Sequence, residues 1–227
     1  MQINKVFDEW SAAYTEKMTR WVPFYLEAVA ALYSGVPEWF NPDSILDLGC
    51  GNGNAFNLFL HHYPNAQFTL LDASEEMINL CKTRFSRYSN ISYQQTLFQE
   101  TAFQSASFDL ITASYSLHHL RGDEKAQIFK KIFKWLKPNG ILTLCDLHIG
   151  RTEKTLYHAF LKTWEHDARK AGTPDEEWEY LMDHHMTYDF PDSFENTRQW
   201  LLDAGFSEVN ISWQEGYWMT LLVQKPS

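Results

Sequence analysis

The sequence predicts an α/β fold: an open sheet, parallel over most of its width, finished by an antiparallel hairpin and covered by helices on both faces. Three observations carry this expectation. Between residues 44 and 146 short apolar runs alternate with helical patterns, the rhythm of parallel βαβ units, whose helices run to about 10–14 residues. The first of those runs ends in a cluster of glycines, Gly49, Gly51 and Gly53, at the kind of strand-to-helix turn where open sheets dock ligands. Near the C-terminus two further apolar runs are joined only by Gln214-Glu-Gly216, a connection too short for anything but antiparallel pairing.

The elements follow in order. Residues 1–43 read as an N-terminal helical cap, with Phe7, Trp10, Tyr14, Trp21, Tyr25, Ala28, Val29 and Leu32 at three- and four-residue steps and Pro23 as a break. Residues 44–146 form the ligand-binding core. Its strands are Ser44–Leu48, Gln67–Asp72, Ile91–Gln95, Phe108–Ala113 and Ile141–Asp146. Its helices are Asn54–Tyr63, Glu75–Arg87 with Ser74 as N-cap, and Asp123–Leu136, and Pro138-Asn-Gly140 is expected to turn the chain. Residues 147–192 read as a helical insertion, with Leu156, Phe160, Trp164, Trp178 and Leu181 as its apolar positions. Residues 193–227 give a helix, Ser193–Ala204, stopped by Gly205, then strands Ser207–Trp213 and Tyr217–Gln224. At 227 residues the chain suits one such domain with additions better than two.

Composition narrows the partners. Acidic side chains outnumber basic ones 29 to 19, a net charge of −10, so a phosphate backbone would be repelled and nucleic acid is not expected. Lys125, Lys130, Lys131, Lys134 and Lys137 fall at helical spacing and read as a solvated face. Cys50, Cys81 and Cys145 are odd in number and widely spaced, which fits thiols of a reducing compartment. There is neither an apolar signal core in MQINKVFDEW nor an 18-residue apolar stretch, so a cytoplasmic protein without a membrane partner is expected.

The glycine loop, Ile45-Leu-Asp-Leu-Gly-Cys-Gly-Asn-Gly53, is followed by Asp72 at the end of the second strand. A carboxylate there can hold both hydroxyls of a ribose, while the loop lets an adenosine-bearing ligand approach the backbone. A dinucleotide fingerprint, G-x-G-x-x-G, would need a small residue at Asn54. Moreover Asp47, two residues ahead of the loop, would repel a pyrophosphate and attract an amino group. The electrostatics favour S-adenosylmethionine over a nicotinamide dinucleotide.

Here the motifs become specific. Asp47-Leu-Gly-Cys-Gly-Asn-Gly53, Leu70-Leu-Asp-Ala-Ser-Glu-Glu-Met77, Phe108–Leu120 and Leu136-Lys-Pro-Asn-Gly-Ile-Leu142 together resemble the class I S-adenosylmethionine-dependent methyltransferases. The resemblance implies a Rossmann-like three-layer sandwich with a seven-stranded, mostly parallel sheet, and S-adenosylhomocysteine as the product of the cofactor. Met18-Thr-Arg-Trp-Val-Pro-Phe-Tyr25 and Leu201-Leu-Asp-Ala-Gly-Phe206 are similar to the carboxy-S-adenosylmethionine synthase subgroup. That likeness implies cofactor contacts from Tyr25, Gly49, Cys50, Gly51, Asp72, Ala73, Leu97, Phe98 and Ser114, to which the glycine-loop and second-strand motifs add Asp47, Gly53 and Met77. Two departures stand out. Leu97 occupies the place of the acid that usually receives the adenine amino group, leaving Gln95, Gln99 or backbone carbonyls to substitute. No arginine lies in Glu176–Asp192 for the synthase's extra carboxylate, which favours ordinary methyl transfer.

The expected activity is methyl transfer to a small-molecule acceptor. The synthase-like reaction and a non-catalytic binding protein are the alternatives, and a homodimer stays open. Histidine suits a base near neutral pH. His148 after the fifth strand is the first choice, with Tyr115 and His118 after the fourth. His148, His166, Asp167, His184 and His185 are of metal-ligating type, but no two histidines sit at i, i+4 as in H-E-x-x-H, so no metal is expected.

Overall fold

The computed structural model describes residues 14–227; Phe7, Trp10 and the side chain of Tyr14 lie outside the described residues. Helices α1 (Tyr14–Trp21) and α2 (Tyr25–Ser34) flank Pro23, and Phe24 turns the chain between them in the left-handed region, φ 59°. The core then runs β1 (Ser44–Leu48), α3 (Asn54–His62), β2 (Gln67–Asp72), α4 (Glu75–Arg84), β3 (Ile91–Gln95), β4 (Phe108–Ser114), a short 3₁₀ turn at Leu117–His119, α5 (Gly122–Trp135) and β5 (Leu136–Leu147). Helices α6 (Lys154–Lys170) and α7 (Asp175–Tyr188) form the insertion, before α8 (Phe194–Ala204), β6 (Asn210–Glu215) and β7 (Trp218–Gln224).

One seven-stranded sheet results, in the order β3-β2-β1-β4-β5-β7-β6. The first five strands are parallel, and β7 pairs antiparallel to both β5 and β6. The order reverses at β1, so the loops after β1 and β4 splay apart at the carboxyl edge and leave a crevice there. Side chains alternate across β1. Ile45 faces the layer holding Phe56, Phe59 and Leu32, whereas Leu46 and Leu48 face the layer holding Ile128, Phe129, Ile132 and Leu201. Asp47, in step with Ile45, is thereby carried into an apolar layer. The insertion joins that same layer: Tyr157, Phe160, Trp164, Trp178 and Leu181 pack with Trp21, Val22 and Tyr25. Trp164 Nε1 donates to the Trp21 carbonyl, and Arg20 pairs with Glu177 at 2.8 Å. Helices α1, α6 and α7 therefore roof the sheet edge.

Several boundaries depart from expectation. Pro138-Asn139-Gly140 does not end a helix-to-strand turn but lies inside β5, with a register shift against β4 between Phe108 and Leu110. Asn139 takes φ 62° and donates its N–H to the Lys225 carbonyl, so pairing with the chain's end holds an irregular strand. Helix α4 stops at Arg84, three residues early, and β6 starts three residues late. The lysines of α5 are not uniformly solvated: Lys125 is only 5% exposed and bonds the Phe190 carbonyl and Asp192. Leu156, expected to pack, is exposed. The three cysteines are free and buried. Among the described residues no helix is long and apolar enough to cross a membrane.

Candidate active site

Two cavities open side by side at the carboxyl edge of the sheet. The first, about 690 Å³ with its mouth, is lined by Gly49, Gly51, Asp72, Ala73, Met77, Leu97, Phe98 and Gln99 on one side and by Tyr115, Ser116, His119 and Leu120 on the other. Its floor is the glycine loop. Gly49 sits at φ 75°, a conformation that side chains resist, and a Cβ there would lie 2.4 Å from Ser116 Cβ. The loop is pinned from behind: the N–H groups of Gly49 and Cys50 donate to the Leu71 carbonyl at 2.8 and 3.0 Å, and Gly51 N–H donates to Asp72 Oδ2 at 2.8 Å. Asp72 Oδ1 accepts from Ser74 N–H at 2.9 Å. Thus the carboxylate is fixed by two backbone donors at the cavity wall.

Beneath the loop lies Asp47. It is 1% exposed, and neither carboxylate oxygen has a hydrogen-bond partner among the described residues. Burial, reinforced by the charge of Asp72, pushes its pKa up to about 8. A buried acid without a donor costs free energy unless it is protonated or meets a cation. Tyr25 lies close by: its hydroxyl accepts from Asn54 Nδ2 at 3.2 Å, and burial raises its pKa to about 12.

The second cavity, about 580 Å³, shares Tyr115 and His119 with the first. Met18, Trp21 and Val22 of the α1 region, Leu147, Trp164, Leu181 and Trp218 give it apolar walls. His118, His119, His184, His185 and Asp189 form a polar end. Its lining contains neither arginine nor lysine. Tyr115, at φ 48°, packs its ring 5.5 Å from Tyr25 and 6.0 Å from Trp218, so it stands as the partition between the two spaces. At the polar end His118 Nδ1 lies 2.5 Å from Asp146 Oδ1, and His185 Nδ1 lies 2.8 Å from Asp189 Oδ2. Burial pulls the His118 pKa down, but Asp146 and Asp189 outweigh it and hold the group above its ordinary value. His119, by contrast, is lowered by burial and by the neighbouring His118. His184 falls to about 4, chiefly through burial.

Of the twelve residues expected around the cofactor, seven line the first cavity: Gly49, Gly51, Asp72, Ala73, Met77, Leu97 and Phe98. Asp47, Tyr25, Cys50 and Ser114 are not among its lining residues. Ser114 Oγ contacts Cys145 Sγ at 3.3 Å, and Cys50 is buried next to Cys81, which raises its pKa. Gly53 is not in the lining either, and it packs closely: a Cβ there would lie 2.5 Å from the Phe85 ring. Of the proposed catalytic residues, Tyr115 and His118 reach the second cavity and His148 does not. Strand alternation sends His148 to the opposite side of β5, into a small pocket with Lys125, Asp192 and Thr197. There burial lowers its pKa to about 4. The residues that the sequence did not single out are His119 and Asp189. In the sequence His119 is only the neighbour of His118, and Asp189 lies 70 residues from it.

Comparison with known proteins supplies the deciding observation. Residues 45–140, which contain the glycine loop, Asp72 and the Tyr115–Leu120 turn, match a protein family described as methyltransferase domain. The chain carries a class I S-adenosylmethionine-dependent methyltransferase domain. The carboxy-S-adenosylmethionine synthase of Campylobacter concisus is 26% identical over 222 residues, covering 96% of this methyltransferase and 94% of that protein. The phosphoethanolamine N-methyltransferase of Plasmodium falciparum is 28% identical over 121 residues, 53% and 45% of the two chains. Among solved structures, phosphoethanolamine N-methyltransferase 2 of Haemonchus contortus superposes with a TM-score of 0.70 at 14% identity, covering 100% of this chain and 61% of that one. Human N-acetylserotonin methyltransferase with bound S-adenosylmethionine gives 0.65 at 16% identity, with 99% and 57% covered. These structural likenesses concern the fold. The cofactor of the methyltransferase is S-adenosylmethionine, and the residues present suit it. The orphaned Asp47 carboxylate would be matched by an amino group, and Gly49, Gly51, Asp72 and Ala73 line a cavity that could take the adenosyl part.

Proposed function

We propose that this methyltransferase methylates a small molecule held in the second cavity. The observation that carries the reading is the shared wall: Tyr115 and His119 line both spaces, so an acceptor in one lies against whatever fills the other. S-adenosylmethionine supplies a methyl group made electrophilic by its sulfonium. Gly49, Gly51, Asp72, Ala73, Met77, Leu97 and Phe98 would hold it, with Asp47 facing its amino group and Gln99 available at the adenine end. Tyr115 and the tryptophans Trp21, Trp164 and Trp218 exclude water and align the acceptor, which supplies most of the rate in an in-line displacement. The apolar walls and the histidine–carboxylate end favour an acceptor with a flat or hydrophobic body and one polar head. The polar head would sit at His118, His119 and Asp189.

One feature argues against the synthase-like reaction. Among the described residues neither arginine nor lysine lines the second cavity, so no bidentate side-chain clamp is at hand for a substrate carboxylate. The acidic surface likewise supports a small acceptor over nucleic acid. The test is direct. Ligand extracted from purified protein, analysed by mass spectrometry, is expected to be S-adenosylmethionine or S-adenosylhomocysteine. Isotope-labelled methyl is expected to appear on members of a panel of aromatic and alkyl amines, phenols and thiols. Extraction of the carboxylated cofactor would instead establish the synthase chemistry.

A further inference from the structure

The polar end of the second cavity has a geometry that hydrogen bonding alone does not explain. Three imidazole nitrogens surround a single oxygen, Asp189 Oδ1: His119 Nδ1 at 3.1 Å, His184 Nε2 at 3.5 Å and His118 Nε2 at 3.7 Å. Two of the three nitrogens stand at or beyond hydrogen-bond reach of that oxygen. Asp189 Oδ1 is moreover buried without a well-aligned hydrogen bond among the described residues. The ligand atoms of His118, His119 and Asp189 all lie within 4.8 Å of one another. Donor atoms around a zinc-like ion with bonds of ~2.0 Å stand ~3.3 Å apart, so only small side-chain movements separate this arrangement from a coordination shell.

From this convergence we infer that His118, His119 and Asp189, with His184 beside them, bind one divalent first-row transition-metal ion whose open side faces the acceptor cavity. The surroundings are those of a metal site. Asp146 engages His118 Nδ1 at 2.5 Å and leaves Nε2 turned toward the cluster, the carboxylate–histidine pairing that orients metal ligands. His185 Nδ1 engages the other oxygen of Asp189 at 2.8 Å, and Tyr157 Oη in turn meets His185 Nε2 at 2.5 Å. Backbone tethers fix the two ligand segments together: Phe190 N–H donates to the His118 carbonyl at 2.6 Å, and Lys125 binds the Phe190 carbonyl and Asp192. Nitrogen-rich ligation with one carboxylate suits zinc, iron, cobalt or nickel over magnesium or calcium. The sequence hid the site because its ligands come from two distant segments, 118–119 and 184–189.

What the ion does rests on the methyltransferase reading above; that it binds does not. At this position it would take an oxygen, nitrogen or sulfur of the acceptor as a further ligand and make that group more acidic. The acceptor class is then narrowed to molecules with a metal-binding head.

The test is a titration of the chelator-treated full chain with cobalt(II), read by visible absorption and by equilibrium dialysis. One cobalt per chain is expected, with a Kd below about 10 µM, displaced by zinc. Asp189→Asn and His184→Gln are expected to weaken binding and alter the spectrum, and Asp146→Asn to weaken it about 10–100-fold through the supporting shell. Calorimetric binding of S-adenosylhomocysteine in each variant reports that the fold is intact. No saturable cobalt binding by the parent chain overturns the proposal. So does binding whose affinity and spectrum are unchanged in both Asp189→Asn and Asp146→Asn, since the ion would then lie elsewhere. Absence of any methylated product, with the cobalt titration as expected, would count against the acceptor reading alone.

Discussion

The two cavities meet at Tyr115 and His119 but are built in opposite ways. The cofactor cavity rests on backbone. Consecutive residues 49–53 and one carboxylate, Asp72, are locked to one another by hydrogen bonds from main-chain N–H groups. The acceptor cavity rests on side chains contributed by α1, the 3₁₀ turn, β5, α6, α7 and β7, held by packing and by a buried histidine–carboxylate network. The first can be specified by a short motif and tolerates little change. The second can be remodelled by substitution in the roof while the sheet stays as it is. Such a division allows one fold to serve many acceptors.

The sharpest way to break this contrast is Asp72→Ala. The substitution strands the N–H groups of Gly51 and Ser74, costing about 1–3 kcal/mol for buried donors left unpaired. It also removes two expected hydrogen bonds to the ribose, at about 1.5–3 kcal/mol each for a charged acceptor. Calorimetry should show S-adenosylhomocysteine affinity falling roughly 100-fold or more, and thermal melting should show a lower Tm. An affinity within about fivefold of the parent would mean that the loop does not hold the cofactor.

Next in size is Asp47→Asn, where function and stability should move apart. Burial raises the Asp47 pKa to about 8 against an ordinary value of 3.8, so the folded chain keeps a proton that the unfolded chain has shed. Its contribution to stability is therefore full below pH 3.8 and is lost progressively as pH rises toward 8. Asparagine removes that loss. The variant should melt higher than the parent, by a margin that widens from pH 5 to pH 8, at about 2–4 °C for each kcal/mol recovered. Its affinity for S-adenosylhomocysteine should nonetheless fall about tenfold at neutral pH, because the partner of the amino group is gone. In the parent, binding should release a proton, seen as buffer-dependent calorimetric heats. Buffer-independent heats would remove Asp47 from the cofactor's reach.

The same contrast explains what could be read in advance. Ser74 caps α4 by accepting from Met77 N–H, as its position before two acids indicated, and the glycine loop announced its own role because all its contacts are local. Pro138-Asn139-Gly140 misled for the converse reason: punctuation residues signal a turn, but strand pairing with β4 and the Lys225 backbone overrides it. Lys125 has the spacing of a solvated face, yet the segment 190–192 folds across it and takes its charge. Neither that segment nor the convergence on Asp189 has any signature at short range in the sequence.

A smaller effect is expected at the rim of the cofactor cavity. Leu97 is 40% exposed and stands where the sequence resemblance implies an acid. Leu97→Asp offers an acceptor to the adenine amino group with little desolvation. One such hydrogen bond nets about 0.5–1.5 kcal/mol, so affinity for S-adenosylhomocysteine should improve roughly 2–10-fold with Tm unchanged. Unaltered affinity would place the adenine away from residue 97, with Gln99 at the rim of the pocket the better guide to its position.

His148 provides the smallest functional effect and divides the two regions most cleanly. From the sequence it is the obvious base, at the end of β5 beside Asp146. In the structure both of its ring nitrogens are buried without a partner among the described residues, and it opens into neither cavity. An imidazole in that state contributes bulk and little else, while burial keeps it neutral. His148→Leu should leave S-adenosylhomocysteine affinity and methyl-transfer kcat within about twofold of the parent. It should also keep or raise Tm, since an apolar side chain carries no desolvation penalty there. His118 differs on each count: it lines the acceptor cavity and is held by Asp146 from behind. A large loss of kcat in His148→Leu with cofactor affinity intact would show that β5 delivers its catalytic group from the far face. The boundary between the cofactor and acceptor regions would then have to be drawn through Asp146 rather than through Tyr115.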